Sequence, residues 1–209
     1  MPTPTVPTDA LTTRQKVKDM LNITDTSKDT IIDELITYVT TFIKSFCGGR
    51  QFLSASYDEQ YDSFRYRRKI FLRQYPVTAV SNVYYRGGTP TNVVWNNYLA
   101  DGYLPYLNEG YIHFDAQLPV VHLGLRVVYT AGYLIDFTNE FDSTHHTLPE
   151  DLTLCATELV VKLLNTGKAM GILEETTEGQ GVKYGYKMRE LDDMHRNILA
   201  NYKTFRIAL

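Results

Sequence analysis

Arg65, Arg67 and Lys69 alternate along the chain, with Arg68 and Arg73 close by. On a strand, alternate side chains share one face, so these cations would form a phosphate-binding stripe. Asp58, Glu59 and Asp62 stand just upstream. A solvated strand face balanced by those carboxylates explains the same charges without a ligand. The interleaved tyrosines suit a single-strand stacking platform, and equally a half-buried sheet or a wet interface. For an acidic chain the interface is the stronger reading. His145 and His146 share a polar stretch with Asp136, Glu140 and Asp142. Adjacent histidines point apart on most backbones, so this spacing serves a tetrahedral metal poorly. A solvated, metal-free loop is expected there. His113 and His122 stand alone in strand-like sequence and read as structural.

The run Gly179-Gln180-Gly181-Val182-Lys183-Tyr184-Gly185 has the glycine density of a phosphate cradle. It lacks the preceding strand, and its spacing fits neither the dinucleotide nor the P-loop pattern. It reads as a flexible interface loop. Ser54, Ser56 and Ser81 have no nucleophile-elbow setting. Cys47 and Cys155 have no basic neighbours to favour a thiolate, and no carboxylate pair stands out. No catalytic residues, cofactor site or metal site are expected, and the chain is not read as an enzyme.

At 209 residues the chain suits one domain, or one domain with an insertion. Such a length buries ~70% of the unfolded surface, so a core forms without staples. The net charge of −3, from 21 basic and 24 acidic side chains, argues against a dedicated nucleic-acid binder. It leaves room for a protein that DNA merely passes. The two cysteines sit in apolar helical patterns and read as small buried hydrophobes in a reducing compartment. No signal peptide and no run of ~18 apolar residues is read, so no membrane partner is expected.

The elements that must position these residues change character twice. Residues 1–8 form a flexible Pro/Thr arm. Asp9–Ile23 carries a helical pattern, with Asp9 or Thr12 as cap. Ser27 or Asp29 caps a second helix, whose wide apolar face holds Ile31, Ile32, Leu35, Ile36, Val39, Phe42, Ile43 and Phe46; Gly48-Gly49 ends it. From residue 50 to 130 the pattern is strands and turns. The expected strands are Tyr66–Leu72, Val77–Tyr85, Asn92–Trp95, Tyr111–Phe114 and Leu125–Thr130, with turns at Arg86-Gly87-Gly88 and 107–110. Ten of the sixteen tyrosines lie between Tyr57 and Tyr111, which marks this block as the contact-rich one. Gly132 permits the exit turn, and Pro149, Glu150 and Asp151 open a helix over Leu148–Thr166, which Asn165–Gly167 end. Its buried stripe is Leu152, Ala156, Leu159, Val160 and Leu163. Lys187–Tyr202 forms a last helix, and Phe205, Ile207 and Leu209 alternate to the end. The expected fold class is α+β: a helical bundle over 9–49 and 148–202, an inserted antiparallel β subdomain over 50–130, and a docking tail over 203–209.

Several blocks in order resemble the head–tail connector (adaptor) family of tailed bacteriophages. They are Asp29–Leu35 through Phe46-Cys47-Gly48-Gly49-Arg50, then Tyr75-Pro76-Val77, Val80–Val83, and Val128-Tyr129-Thr130-Ala131-Gly132-Tyr133. Leu148–Leu152, Gly181–Tyr186 and Ile198–Tyr202 complete the set. The Tyr-rich β region and the Pro/Thr arm depart from the family pattern. The resemblance implies a non-enzymatic virion protein at the head–tail interface, made in the host bacterial cytoplasm. It implies a homo-oligomer, a dodecameric ring under the portal protein that extends the channel for genome double-stranded DNA. The next tail ring would be a stopper, nozzle or tail protein. The helical bundle would pack between neighbours. The C-terminal segment would dock on the portal, which assigns Met188, Leu191, Tyr202, Phe205, Arg206, Ile207 and Leu209 to that contact. An alternating apolar tail with too little chain for its own core fits that role. Tyr84, Tyr85, Trp95, Tyr103, Tyr106, Lys183, Tyr184 and Tyr186 are assigned to neighbouring subunits or the next ring. Two other classes stay open: another tail ring component (stopper or completion protein), and a cytoplasmic enzyme with a tyrosine-lined pocket.

Overall fold

The computed structural model describes residues 6–63, 68–89, 91–116, 118, 121–170 and 191–203, with 166–170 described by backbone alone. The described residues fall into two compact units, Met1–Gly49 with Ile135–Lys203 and Arg50–Leu134. The chain has both helices and antiparallel sheets, an α+β fold.

The first unit holds α1 (Arg14–Leu21), α2 (Asp29–Phe46), α3 (Glu150–Met170) and α4 (Asp193–Ala200). Thr13, not Asp9 or Thr12, caps α1: its hydroxyl accepts from the Lys16 amide at 3.3 Å, and Asn22 closes the helix at φ 52°. The two expected caps serve as tertiary ties instead. Asp9 pairs with Lys44 on α2, and the Thr12 hydroxyl meets that of Thr157 on α3 at 2.6 Å. Lys28 precedes α2 without a side-chain cap, because Ser27 is drawn to Asp25. Asp29 still complements the positive helix end. Ile32, Ile36, Val39 and Ile43 of α2 are buried, as are Val17, Leu152, Ala156, Val160, Leu164 and Leu199. α3 runs past Asn165–Gly167 to Met170; a glycine inside a helix costs only ~1 kcal/mol relative to alanine. α4 is shorter than the pattern over 187–202 predicts, and residues 187–190 lie outside the described set. No described helix is long and apolar enough to cross a membrane.

An ionic clamp joins α1 to α2. Arg14 reaches Asp29 Oδ2 at 2.9 Å and grips both oxygens of the buried Asp33, while Lys18 Nζ takes Asp29 Oδ1 at 2.9 Å. His195 ties α4 to α3 through Glu158 at 2.9 Å, beside a Lys162–Asp192 pair at 3.0 Å.

The second unit holds β1 (Ala55–Ser63), β2 (Lys69–Phe71), β3 (Val77–Thr89), β4 (Asn92–Asn97), β5 (Tyr103–Tyr106), β6 (Tyr111–Phe114) and β7 (Val121–Ala131). They form two sheets, ordered β1-β7-β3-β4 and β2-β6-β5, and every strand pair is antiparallel. Tyr61, Ile70, Val83, Ile112, Phe114, Leu125, Val127 and Tyr129 belong to one buried cluster. β1 and β5 carry no strand signal of their own. Asp58-Glu59-Gln60 is strand because it pairs with Val127 and its neighbours on β7. β3 runs straight through Arg86-Gly87-Gly88, and the turn comes later, between Thr89 and its partner Asn92. Gly88, at φ +80°, makes this possible: a Cβ there would lie 2.2 Å from the Asn92 carbonyl oxygen. Gly132 is equally constrained, at φ +112° with Leu53 O 2.6 Å from where a Cβ would stand. The turn over 107–110 joins β5 to β6 as expected, with Tyr106 paired to Tyr111.

Candidate functional site

Two exposed faces of the second unit concentrate the aromatic residues. On the three-stranded sheet, cross-strand partners share a face. One row is Phe71, Tyr111 and Tyr106; the next but one is Lys69, His113 and Leu104. Phe71, Tyr106, Leu104 and Lys69 are exposed. The Tyr106 and Tyr111 rings stack at 4.7 Å, Phe71 lies 5.5 Å from Tyr111, and Lys69 Nζ sits 4.6 Å over the Tyr111 ring. The opposite face carries Ile70, Ile112 and Phe114 into the core. This alternation separates two of the expected contact residues. Tyr106 faces solvent, whereas Tyr103 packs against the core beside Tyr98 and Phe114.

The second face is the β3–β4 ribbon. β7 accompanies β3 only as far as the Tyr85–Leu125 pair, so beyond it the ribbon has two strands. Val93 and Val94 on β4 are exposed, opposite Gly88 and Gly87, which offer no side chain to cover them. Trp95 is half-buried opposite Arg86. Tyr85 is exposed and meets Tyr98 edge-on with the ring centres 6.1 Å apart, and Tyr84 lies 5.3 Å under the Arg126 guanidinium. Arg126 also holds Asp58, donating Nε to Oδ1 at 2.7 Å, which keeps the Asp58 carboxyl below its usual range.

The upstream carboxylates each have described partners outside the basic stripe. Asp58 is taken by Arg126, and Glu59 accepts from the Tyr61 and Tyr129 hydroxyls. Asp62 accepts from the Leu123 amide at 2.7 Å and meets His122. Arg65 and Arg67 lie outside the described residues. Burial raises the Tyr61 and Tyr129 hydroxyls above the usual tyrosine range. Among the described residues these acids tie β1 to β7 and its approach.

His146 corrects the reading of a solvated loop. It is buried, its Nδ1 accepts from the Asp136 amide at 3.2 Å, and its ring packs 5.0 Å from Phe137. His145 is exposed and bonded to Asp142 at 2.8 Å. Among the described residues no group of three or more His, Cys, Asp or Glu is placed to hold a metal. Cys47 and Cys155 are buried and unbridged, and burial pushes the Cys155 thiol up to about 12.

Arg50 went unread in the sequence, where it closes a helix-end motif. The structure buries it completely in the second unit. Its guanidinium lies 3.5 Å over the Tyr75 ring and donates to the Tyr75 carbonyl at 2.6 Å and the Tyr133 hydroxyl at 3.3 Å. A buried arginine caged by Phe52, Tyr75 and Tyr133 is a structural pin. Only the aromatic density nearby could have signalled it.

Of the expected tail contacts, Leu191 is half-buried ahead of α4, and Tyr202 is buried in its own unit with its hydroxyl on Asp151 at 2.6 Å. Met188, Phe205, Arg206, Ile207, Leu209, Lys183, Tyr184 and Tyr186 lie outside the described residues.

A family profile described as "Head completion protein" matches residues 10–205. No curated protein sequence matches the chain at a comparable level. In fold, the chain is similar to a chain of the neck of an empty gene transfer agent (GTA) particle computed with C6 symmetry. That match has TM-score 0.55 and 16% identity, covering 97% of this chain and 94% of the other. It is similar to a chain in the neck of the native particle computed with C12 symmetry, at TM-score 0.53 and 17% identity, covering 97% and 93%. A chain of the native GTA virion matches at TM-score 0.55 and 16% identity, covering 97% and 94%.

Proposed function

The chain belongs to the head completion protein family, and from that footing we propose that it is a structural head–tail connector of a phage-like particle. Copies close into a ring beneath the portal, extend the DNA channel and join head to tail. The observation that carries this is the family match over residues 10–205, nearly the whole chain. The C12 symmetry of the neck whose chain shares this fold supports a ring of twelve. The protein works in the virion neck after synthesis in the host cytoplasm.

The exposed surfaces support a role in contacts rather than catalysis. They are apolar and aromatic faces, the kind that find a partner. Tyr84, Tyr85, Trp95 and Tyr106 would contact neighbouring subunits or the next ring, with Lys183, Tyr184 and Tyr186. The segment from Met188 through Leu191, and the tail with Phe205, Arg206, Ile207 and Leu209, would dock on the portal. Tyr202 anchors the start of that tail from inside its own unit. A net charge of −3 suits a wall that DNA passes, since a basic wall would grip phosphate. The family description also fits a neighbouring ring of the same junction, a stopper further from the portal.

Electron microscopy of particles made without this chain tests the reading. DNA-filled heads that lack tails are expected, restored by the wild-type chain, with a C-terminal label appearing next to the portal. A label one ring lower selects the stopper. Tailed, complete necks in its absence would refute both.

A further inference from the structure

We propose that a bare phenylalanine, Phe141, and the acid-rimmed hollow beside α1 and α3 form one docking surface, which takes a lysine- or arginine-bearing apolar segment of a different neck protein. The inference rests on the connector reading above and names the chemistry of one partner.

Phe141 is 95% exposed, the most of any large apolar side chain among the described residues. The segment that presents it is fixed on both sides. Before it, Asp136 accepts from the Thr138 amide at 2.9 Å and from Asn139 Nδ2 at 2.8 Å. After it, Asp142 accepts from the Thr144 amide at 2.9 Å and from the Thr144 hydroxyl at 2.7 Å. The Asp142 carbonyl takes the His145 and His146 amides at 2.9 and 2.8 Å. Glu140, next to Phe141, pairs with Lys16 of α1. A segment held in this way loses little freedom when a partner covers it. A large aromatic side chain on such a segment has the setting of an interface anchor.

Glu140 also lines a hollow of about 600 Å³ between α1 and α3. Met20 and Leu154 present exposed apolar side chains there. Asp19, Glu150 and Asp151 stand with them, and Lys16, the cation in the lining, is the one paired to Glu140. Thr153 lines the hollow too; it is 5% exposed, and its hydroxyl has no hydrogen-bond partner within the chain. Buried polar groups are ordinarily satisfied, so this one points to a group supplied from outside. The segment 135–147 adds Asp136 and Asp142 to Glu140 and contains no lysine or arginine. Like charges across an interface are costly, and opposite charges set partner choice. The partner is therefore cationic as well as apolar. A second copy is a poor match, because its net charge is −3 and its tail, with Lys203 and Arg206, is assigned to the portal above.

A benzophenone side chain placed at position 141 in assembled particles tests this. Irradiated necks should yield a crosslinked peptide from a neck protein other than this chain, with apolar residues flanked by lysine or arginine. A peptide from another copy of this chain would overturn the proposal. So would a peptide without a cation, or no crosslink at wild-type occupancy. Phe141→Asp removes the anchor and adds a carboxylate to the acidic surface. It should lower the yield of complete necks by at least about tenfold, as loss of an interface anchor does, with the melting curve of the isolated chain unchanged. Asp19→Lys reverses one charge of the rim and should lower the same yield with the fold intact. A wild-type yield of complete necks from either variant would sink the inference alone. Absence of the wild-type chain from necks would remove the connector reading, and the inference with it.

Discussion

His145 and His146 are adjacent in the chain and opposite in environment. His145 sits in water beside Asp142, whereas His146 is enclosed against Phe137 and accepts from the Asp136 amide. Replacing His146 with alanine leaves a small cavity and the part-buried Asp136 amide without its acceptor. Thermal or denaturant unfolding should show a loss of about 1–3 kcal/mol for His146→Ala. His145→Ala should stay within about 0.5 kcal/mol of wild type. Equal effects would mean that the loop is solvated throughout. Arg50 makes a sharper case. Its planar fork stacks on Tyr75 while donating to the Tyr75 carbonyl and the Tyr133 hydroxyl. A lysine keeps the charge and loses both the stacking and the fork. Arg50→Lys should therefore cost about 2–4 kcal/mol, judged by hydrogen bonds to charged groups and by desolvated cation–π contacts. An unchanged denaturation midpoint would show that the cage tolerates any cation.

At the scale of elements, α1 is short and polar, and its ion pairs bind it to α2. Lys18 and Arg14 hold the Asp29 carboxyl below its ordinary value, chiefly through the Lys18 hydrogen bond. Arg126 does the same for Asp58 between β7 and β1. A folded-state pKa below the unfolded one means that the unfolded chain binds more protons near pH 4. The stabilisation is present above the ordinary carboxylate value of ~3.9 and disappears as pH falls through the folded value. Melting temperature should thus fall between pH 5 and pH 3, and Asp29→Asn should flatten that fall. A slope identical to wild type in Asp29→Asn would assign the acid sensitivity elsewhere.

At the scale of the molecule, the tail is the segment whose removal should separate folding from assembly. Tyr202 is buried and bonded to Asp151, so a cut before it would damage the helical unit. A cut after Lys203 removes Phe205, Ile207 and Leu209 and spares Tyr202. Each of those side chains could contribute ~1.5–3 kcal/mol at an interface before ordering costs. The shortened chain should keep its melting temperature yet fail to enter necks. Wild-type occupancy without the tail would exclude the tail as the portal contact.

The α+β class, the change of period at Gly48 and again at Gly132, and the apolar faces of α2 and α3 were legible because burial repeats at the helical and strand periods. The likeness to head–tail connectors was legible from the order of short blocks along the chain. The sequence did not show that Asp58–Gln60 would be strand. A charged segment pairs there because β7 offers an edge. Nor did it separate Tyr106 from Tyr103, or His146 from His145. Alternation fixes which residues share a face, but only packing decides which face meets the core. The cage around Arg50 and the tie from Tyr202 to Asp151 belong to the same class of fact. They depend on partners distant in the chain, and distance in sequence carries no record of contact in space.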